Sequence, residues 1–337
     1  MSARCRYRGS GHPGEPVDRR PGAQGRIPAP RSPESRRQRA LGALWGAVWE
    51  LTRRLPEPVA FGLGDLGGRL AHRLAPATRR RVAANLAHVV DPGDLDATVA
   101  AAFRSYARYW VEAFRAADLD PGDLDRRTTT DGFAHLDAAL EGGRGVIVLL
   151  AHHGSWDVAA RWAESHRYHL AVVAEVVRPR AVFRRFVRLR EDIGLEVLPL
   201  HRGGDVTARL TRVLEANHLV GLLTDRDLTG RAPEVTLFGG RTRVPLGPAV
   251  LARRTGAPIV PITLLQRPGR CWHLQVLPAI EPGEASVREL HAAVLAALEA
   301  IIGLDPAQWH AFQPVFGDAG PAGRSGGDQA ADTGGRR

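Results

Sequence analysis

The 337-residue sequence has no lysine: all 46 of its basic residues are arginine. It holds one methionine, at position 1, and two cysteines, Cys5 and Cys271. Two cysteines build neither a disulfide framework nor a zinc cluster, and a reducing compartment is the natural reading. No apolar run approaches the roughly 20 residues of a membrane span. Residues 1–40 lack the apolar segment of a secretory signal. The reading is a protein that stays in the cytosol and is free to touch a membrane surface.

The formal net charge of +10 overstates the basicity of the fold. Residues 1–40 hold ten arginines against Glu15, Asp18 and Glu34, a net of +7, which leaves +3 for the rest. Abundant Ala, Gly, Pro and Arg without lysine look like GC-rich coding bias, which discounts the charge further. A whole-surface nucleic-acid binder is not so nearly balanced, so nucleic acid is not expected as a partner.

The chain is organised around Gly145–Trp162, GVIVLLAHHGSWDVAARW. Val146 to Leu150 form an apolar run of strand length, as expected for a strand buried on both faces. Gly154 supplies a turn, and Ser155 can cap a helix beginning at Trp156. His152 then stands at the carboxyl end of a strand and Asp157 in the first turn of a helix, on the rim where open α/β sheets bind ligands. Four residues separate the two, so their side chains can meet across the turn. A carboxylate that holds one imidazole nitrogen leaves the other free to take a proton. Each residue also has a plainer reading. Asp157 can simply complement the helix dipole. His152, His153 and Asp157 can also be read as metal ligands of a hydrolase, although H-H-x-x-x-D alone is a weak metal signal.

From residue 145 apolar strand-length runs alternate with amphipathic stretches. Strands read at 145–151, 169–175, 195–199, 218–223, 234–238, 257–264 and 271–277; helices read at 155–165, 179–193, 205–216, 246–254 and 285–303. The pattern predicts an α/β fold with a central mixed, mostly parallel sheet flanked by helices. An N-terminal helical section precedes it, with helices at 41–55, 58–75, 78–88 and 94–117. Residues 1–40, rich in Arg, Pro and Gly, and the Gly-rich residues 318–337 read as disordered tails. Between them lies one domain, 41–317, made of the helical section 41–117 and an α/β core at 145–303. In 41–55, Leu41, Leu44, Trp45, Val48, Thr52 and Leu55 share a stripe widened by Trp49 and flanked by arginines. Such a stripe suits either an anionic membrane interface or the domain core.

Other candidate residues lie on that rim or elsewhere in the alternating segment. Glu175 ends the second strand of the alternating segment. Arg190 lies at helical spacing from Phe183, Phe186 and Val187, on an apolar face, so it needs an anionic partner such as a phosphate or the Glu175 carboxylate. Asp225, Arg226 and Asp227 follow another apolar strand and form either an internal salt bridge or a polar contact site. Arg241 and Arg243 precede a helix start, where they suit a phosphate or are spare surface arginines.

The motif HHGSWD after an apolar strand resembles that of glycerolipid and lipid A type acyltransferases. SYARYWVEAFR (105–115), LLTDRDLTG (222–230), VTLFGGRTRVPLGPAVLARRTGAPIVP (235–261) and WHAFQPVF (309–316) are similar to the actinobacterial phosphatidylinositol mannoside acyltransferases, over about residues 41–316. That resemblance implies transfer of a fatty acyl chain from acyl-CoA, a co-substrate, to a mannose hydroxyl of the glycolipid. It implies no cofactor, no metal and a peripheral location at the cytoplasmic face of the cell membrane. It makes His152 the general base and Asp157 its orienting partner. Gly154, Trp156, Glu175, Arg190, Asp225, Arg226, Asp227, Arg241 and Arg243 become substrate contacts. A lysophospholipid or a lipid A type glycolipid stays open as the acceptor, as do a metal-dependent hydrolase and a non-catalytic membrane-binding protein.

Overall fold

The computed structural model describes residues 35–175, 180–200, 206–227 and 230–317. Four helices come first: α1 (Arg36–Arg54), α2 (Glu57–Leu74), α3 (Pro76–Leu86) and α4 (Leu95–Arg115). Then α5 (Pro121–Arg127), β1 (Thr128–Asp131) and α6 (Ala134–Glu141) lead into the alternating segment. That segment runs β2 (Val146–Leu150), α7 (Trp156–Ser165), β3 (Leu170–Glu175), α8 (Arg180–Asp192), β4 (Glu196–Leu200), α9 (Val206–Glu215) and β5 (Leu219–Leu223). A hairpin of β6 (Glu234–Leu237) and β7 (Gly240–Arg243) follows, then α10 (Gly247–Thr255), β8 (Ile259–Arg267), β9 (Cys271–Val276) and α11 (Val287–Gly303).

The first helix begins at Arg36 rather than 41. The Ser35 hydroxyl accepts from the Gln38 N–H, and the Gln38 side chain accepts from the Ser35 N–H. This capping box satisfies two helix-end donors and sets the start five residues earlier than the apolar stripe suggests. The tails expected at 1–40 and 318–337 otherwise lie outside the described residues.

The seven-stranded sheet has the order β1-β9-β8-β2-β5-β3-β4. β9 runs antiparallel to β8, β1 runs parallel to β9, and every other pair is parallel. The expected mixed, mostly parallel sheet with an N-terminal helical section is therefore what forms. Two strands escaped the apolar pattern. β1 is the polar TTTD, mostly exposed and held on the edge by β9. β7 alternates outward arginines with buried Gly240 and Thr242 across its hairpin.

β2 lies near the middle of the sheet and is buried on both faces. Ile147 and Leu149 point into one apolar cluster with residues of α3, α4, α9, α10 and α11, whereas Val146 and Val148 point into a second with residues of α5, α6 and α7. The two-residue pleat alone distributes the run between two cores. Truncating Ile147 or Leu149 to Ala is worth roughly 2–5 kcal/mol on the usual scale for core positions.

The α1 stripe splits. Trp45 and Trp49 turn inward and pack on Trp110, Phe114 and Phe186. Leu41, Leu44, Val48 and Leu51 stay exposed, spaced for one helical face. The tryptophans thus follow the core reading and the leucines do not.

Candidate active site

His152 and Asp225 meet because of strand register. β2 and β5 are parallel neighbours with Leu150 opposite Leu223, and the Thr224 N–H donates to the Leu150 carbonyl at 3.0 Å. Two residues further along each strand stand His152 and Asp225. The His152 Nδ1–H donates to Asp225 Oδ1 at 2.7 Å. The other oxygen, Oδ2, accepts from the indole N–H of Trp309 at 2.9 Å. Burial opposes ionisation of Asp225, but His152, Trp309 and Arg226 outweigh it and hold the carboxyl well below its ordinary range. A charged Asp225 therefore fixes His152 with its proton on Nδ1, which leaves the Nε2 lone pair free to accept one.

The pairing of His152 with Asp157 does not form. Asp157 is buried and turns away from the rim; it accepts from the Tyr109 hydroxyl at 2.8 Å and from Arg190 Nε at 3.1 Å. As the first turn of α7 leaves the sheet, its side chain at this position faces α4 and α8 rather than the strand end. Arg190 thus has in Asp157 an anionic partner of the kind its apolar setting requires. Burial works to lower the Arg190 pKa, yet the neighbouring Asp157 raises it overall. Burial and Asp157 push the Tyr109 hydroxyl well above its usual value, so it remains a donor.

His153 faces the core. Its ring nitrogens engage the Thr263 hydroxyl and the Asp305 carbonyl, each at 2.9 Å. The H-H-x-x-x-D set is therefore not assembled as ligands, and among the described residues no group of His, Cys, Asp and Glu is arranged to hold a metal ion. Burial lowers the His153 pKa to about 4 from an ordinary 6.5. The unfolded chain binds a proton there between those pH values and the folded protein does not. The stability contribution is complete above pH 6.5 and is lost as the pH falls to about 4. The difference corresponds to about 3 kcal/mol. Urea melts from pH 7 to 4.5 are expected to lose stability steeply, and His153→Gln is expected to flatten that slope. Equal slopes in the two proteins would show that His153 is not held neutral.

The remaining expected site residues divide. At Gly154 φ is +65° and a Cβ would collide with the Leu264 carbonyl oxygen, so glycine is required there by the sheet. Trp156 stacks on Tyr109 at 3.9 Å and meets the His152 ring edge-on at 5.4 Å. Arg226 follows Asp225, with its buried Nε unpartnered. Asp227 Oδ2 accepts from the Ala232 N–H at 2.8 Å and closes the following loop. Arg241 and Arg243 lie on β7, ahead of α10. Arg241 pairs with Glu234, and Arg243 donates to the Ala232 carbonyl at 3.2 Å, with both side chains exposed. Glu175 ends β3, but its side chain lies outside the described residues.

Several neighbours were not legible as site residues. Ser155 does not cap α7; its hydroxyl donates to Glu112, which is buried and also accepts from Arg108, Gln266 and Trp272. Trp309 and His310 come from the C-terminal WHAFQPVF segment. Asn85 anchors that segment by donating to the Ala311 and Gln313 carbonyls. Their only sequence signal was the similarity of the segment itself.

Comparison with known proteins gives a consistent answer. The model of the bacterial lipid A biosynthesis acyltransferases matches residues 30–317. A phosphatidylinositol mannoside acyltransferase of Mycolicibacterium smegmatis is 38% identical over 277 residues, covering 81% of this chain and 90% of that one. One from Mycobacterium tuberculosis is 36% identical over 292 residues, covering 85% and 92%.

Proposed function

The chain belongs to the bacterial lipid A biosynthesis acyltransferase family, and we propose that within it this protein moves a fatty acyl chain from acyl-CoA to a mannose hydroxyl of a phosphatidylinositol mannoside. The observation that carries the chemistry is the 2.7 Å bond from His152 Nδ1 to Asp225, backed by Trp309. His152 Nε2 takes the proton of the acceptor hydroxyl as its oxygen attacks the thioester carbonyl. Asp225, held charged, stabilises the imidazolium that results. The α7 N terminus, which has no side-chain cap, directs N–H groups at the same rim and supports the developing oxyanion. When the tetrahedral intermediate collapses, the C–S bond breaks and the imidazolium returns its proton to the departing thiolate. The steps balance with no metal and no covalent enzyme intermediate. The names of the relatives support the mannoside as acceptor.

The test is incubation with labelled palmitoyl-CoA and a panel of phosphatidylinositol mannoside, lysophospholipid and lipid A type acceptors, with identification of the products. Label in the mannoside supports the reading. Label in another acceptor overturns the substrate assignment, and release of free fatty acid alone overturns the transferase.

The proposed place of work is the surface of an anionic membrane. Among the described residues no helix is long and apolar enough to cross a membrane. Nine of the eleven exposed large apolar side chains among the described residues lie on α1 and α2: Leu41, Leu44, Val48 and Leu51, then Val59, Leu63, Leu66, Leu70 and Leu74. On each helix their spacing keeps them on one face, and exposed Arg36, Arg37, Arg39, Arg73, Arg79 and Arg80 flank them. Apolar faces rimmed by arginine suit the headgroup boundary. The protein is expected to float with vesicles containing anionic lipid, less with neutral ones, and to be released by high salt or alkaline carbonate. Paired Leu44→Asp and Leu63→Asp substitutions are expected to abolish flotation. Undiminished flotation of that variant would place the contact elsewhere.

A further inference from the structure

Two buried polar atoms beside His152 have no partner and are complementary to each other: Nε1 of Trp156 and Nδ1 of His310. Native proteins leave few buried polar groups unpaired, so two at one place call for a cause. The rings of His152 and His310 lie 5.4 and 5.6 Å from that of Trp156, and the backbone N–H of His310 donates to the His152 carbonyl at 2.7 Å.

The hydrogen bonds around His310 fix which of its nitrogens carries the proton. The Gln266 side-chain nitrogen donates to the Ser105 carbonyl and the Glu112 carboxylate, so its oxygen is the acceptor. The Ser105 hydroxyl donates to that oxygen at 3.1 Å, which uses its only proton. The 3.0 Å bond between Ser105 Oγ and His310 Nε2 must then be donated by the histidine. Nδ1 is left as a bare lone pair. Burial, with His153 and His152 nearby, pulls the His310 pKa well below its ordinary value, so Nδ1 does not gain a proton at neutral pH. Trp156 Nε1 is a donor only.

A donor and a bare lone pair, both unpartnered and on rings 5.6 Å apart, restrict what can satisfy both. An anion or a carbonyl oxygen satisfies the indole but is repelled by the lone pair. A cation satisfies only the imidazole. An uncharged hydroxyl satisfies both, since its oxygen accepts while its proton is donated. We propose that Trp156 Nε1 and His310 Nδ1 form a hydroxyl subsite that holds a second hydroxyl of the acceptor sugar while His152 acts on the first. This inference rests on the sugar acceptor proposed above and adds His310 to the residues that touch it. The subsite gives the enzyme a reason to prefer a polyol over a lipid carrying one free hydroxyl, because an acceptor lacking the second hydroxyl leaves both atoms unpaired.

The experiment uses the full chain with palmitoyl-CoA, the mannoside acceptor and a series of its monodeoxy analogues. Trp156→Phe removes the N–H and keeps a ring to stack on Tyr109. His310→Leu removes the lone pair, and His310→Asn restores an acceptor oxygen close to the Nδ1 position. Trp156→Phe and His310→Leu are each expected to raise the acceptor KM by about tenfold with little change in the KM for palmitoyl-CoA, and His310→Asn to recover part of the loss. With one monodeoxy analogue the wild type is expected to fall to the level of the variants, and the substitutions then cost nothing more. If the variants lower the melting temperature but leave the acceptor KM alone, or lose equally on every analogue, the pair is structural and the subsite is overturned. Wild-type turnover on the parent mannoside tests the underlying reading separately: its absence overturns both.

Discussion

Asp225→Asn is expected to lower turnover by roughly 10²–10⁴-fold in a protein that melts near the wild-type temperature. The direction follows from what holds the carboxylate. Trp309 Nε1 can only donate, so it claims the amide oxygen of the asparagine where it now meets Oδ2. The amide nitrogen is then turned to His152 Nδ1, where Oδ1 now accepts at 2.7 Å. An N–H facing Nδ1 forces the histidine proton onto Nε2, the nitrogen that has to receive the proton of the acceptor. The charge that stabilises imidazolium is lost as well. In the serine-protease triad the same exchange costs about 10⁴ in turnover through the wrong tautomer. His152→Ala is expected to be at least as slow. Steady-state kinetics on folded variants check this, and near wild-type turnover for Asp225→Asn would remove Asp225 from the mechanism.

Asp157→Asn, in contrast, is expected to act first on stability, at a cost of about 3 kcal/mol or more. Arg190 and Asp157 are an ion pair with side chains 20% and 2% exposed, and Tyr109 completes the group. Neutralising one partner deprives the buried guanidinium of this counter-charge, which typically costs about 3–5 kcal/mol. Because Tyr109 stacks on Trp156, which meets His152 edge-on, loss of this group also loosens the rim, and turnover falls with it. Denaturant melts of Asp157→Asn, Arg190→Gln and the double variant separate the contributions. The double variant is expected to be more stable than the sum of the single losses predicts, since no charge is then left unpaired. An Asp157→Asn protein with wild-type stability and no activity would return Asp157 to the role of partner of His152.

The two carboxylates show where local reasoning stops. The H-x-x-x-x-D spacing correctly marks a strand, a turn and a helix start, and both residues lie at the β2–α7 junction. It does not say which way the first helical turn faces. That direction is set by α4 and α8, which bring Tyr109 and Arg190 to Asp157 from 48 and 33 residues away in sequence. Arg190 was read correctly as a cation in need of an anion, because an apolar helix face makes that requirement local. Which anion answers it is a matter of packing. Arg241 and Arg243 do precede a helix, but that they stand on a hairpin strand with their side chains outward follows from the pairing of β6 with β7.

By itself the sequence determined the α/β class, the position of nearly every strand and helix in the alternating segment, and the placing of His152 at the carboxyl end of β2. These follow from apolar runs, periodicity and turn residues, which act over a few neighbours. The tertiary structure alone decided that Asp225 is the partner of His152, that Trp309 and His310 from the end of the domain stand beside it, and that α1 packs its tryptophans inward while exposing its leucines. The first two depend on which strands become neighbours and on the register between them. Neighbouring parallel strands bring side chains 73 residues apart in sequence within 2.7 Å, and no local spacing encodes that meeting.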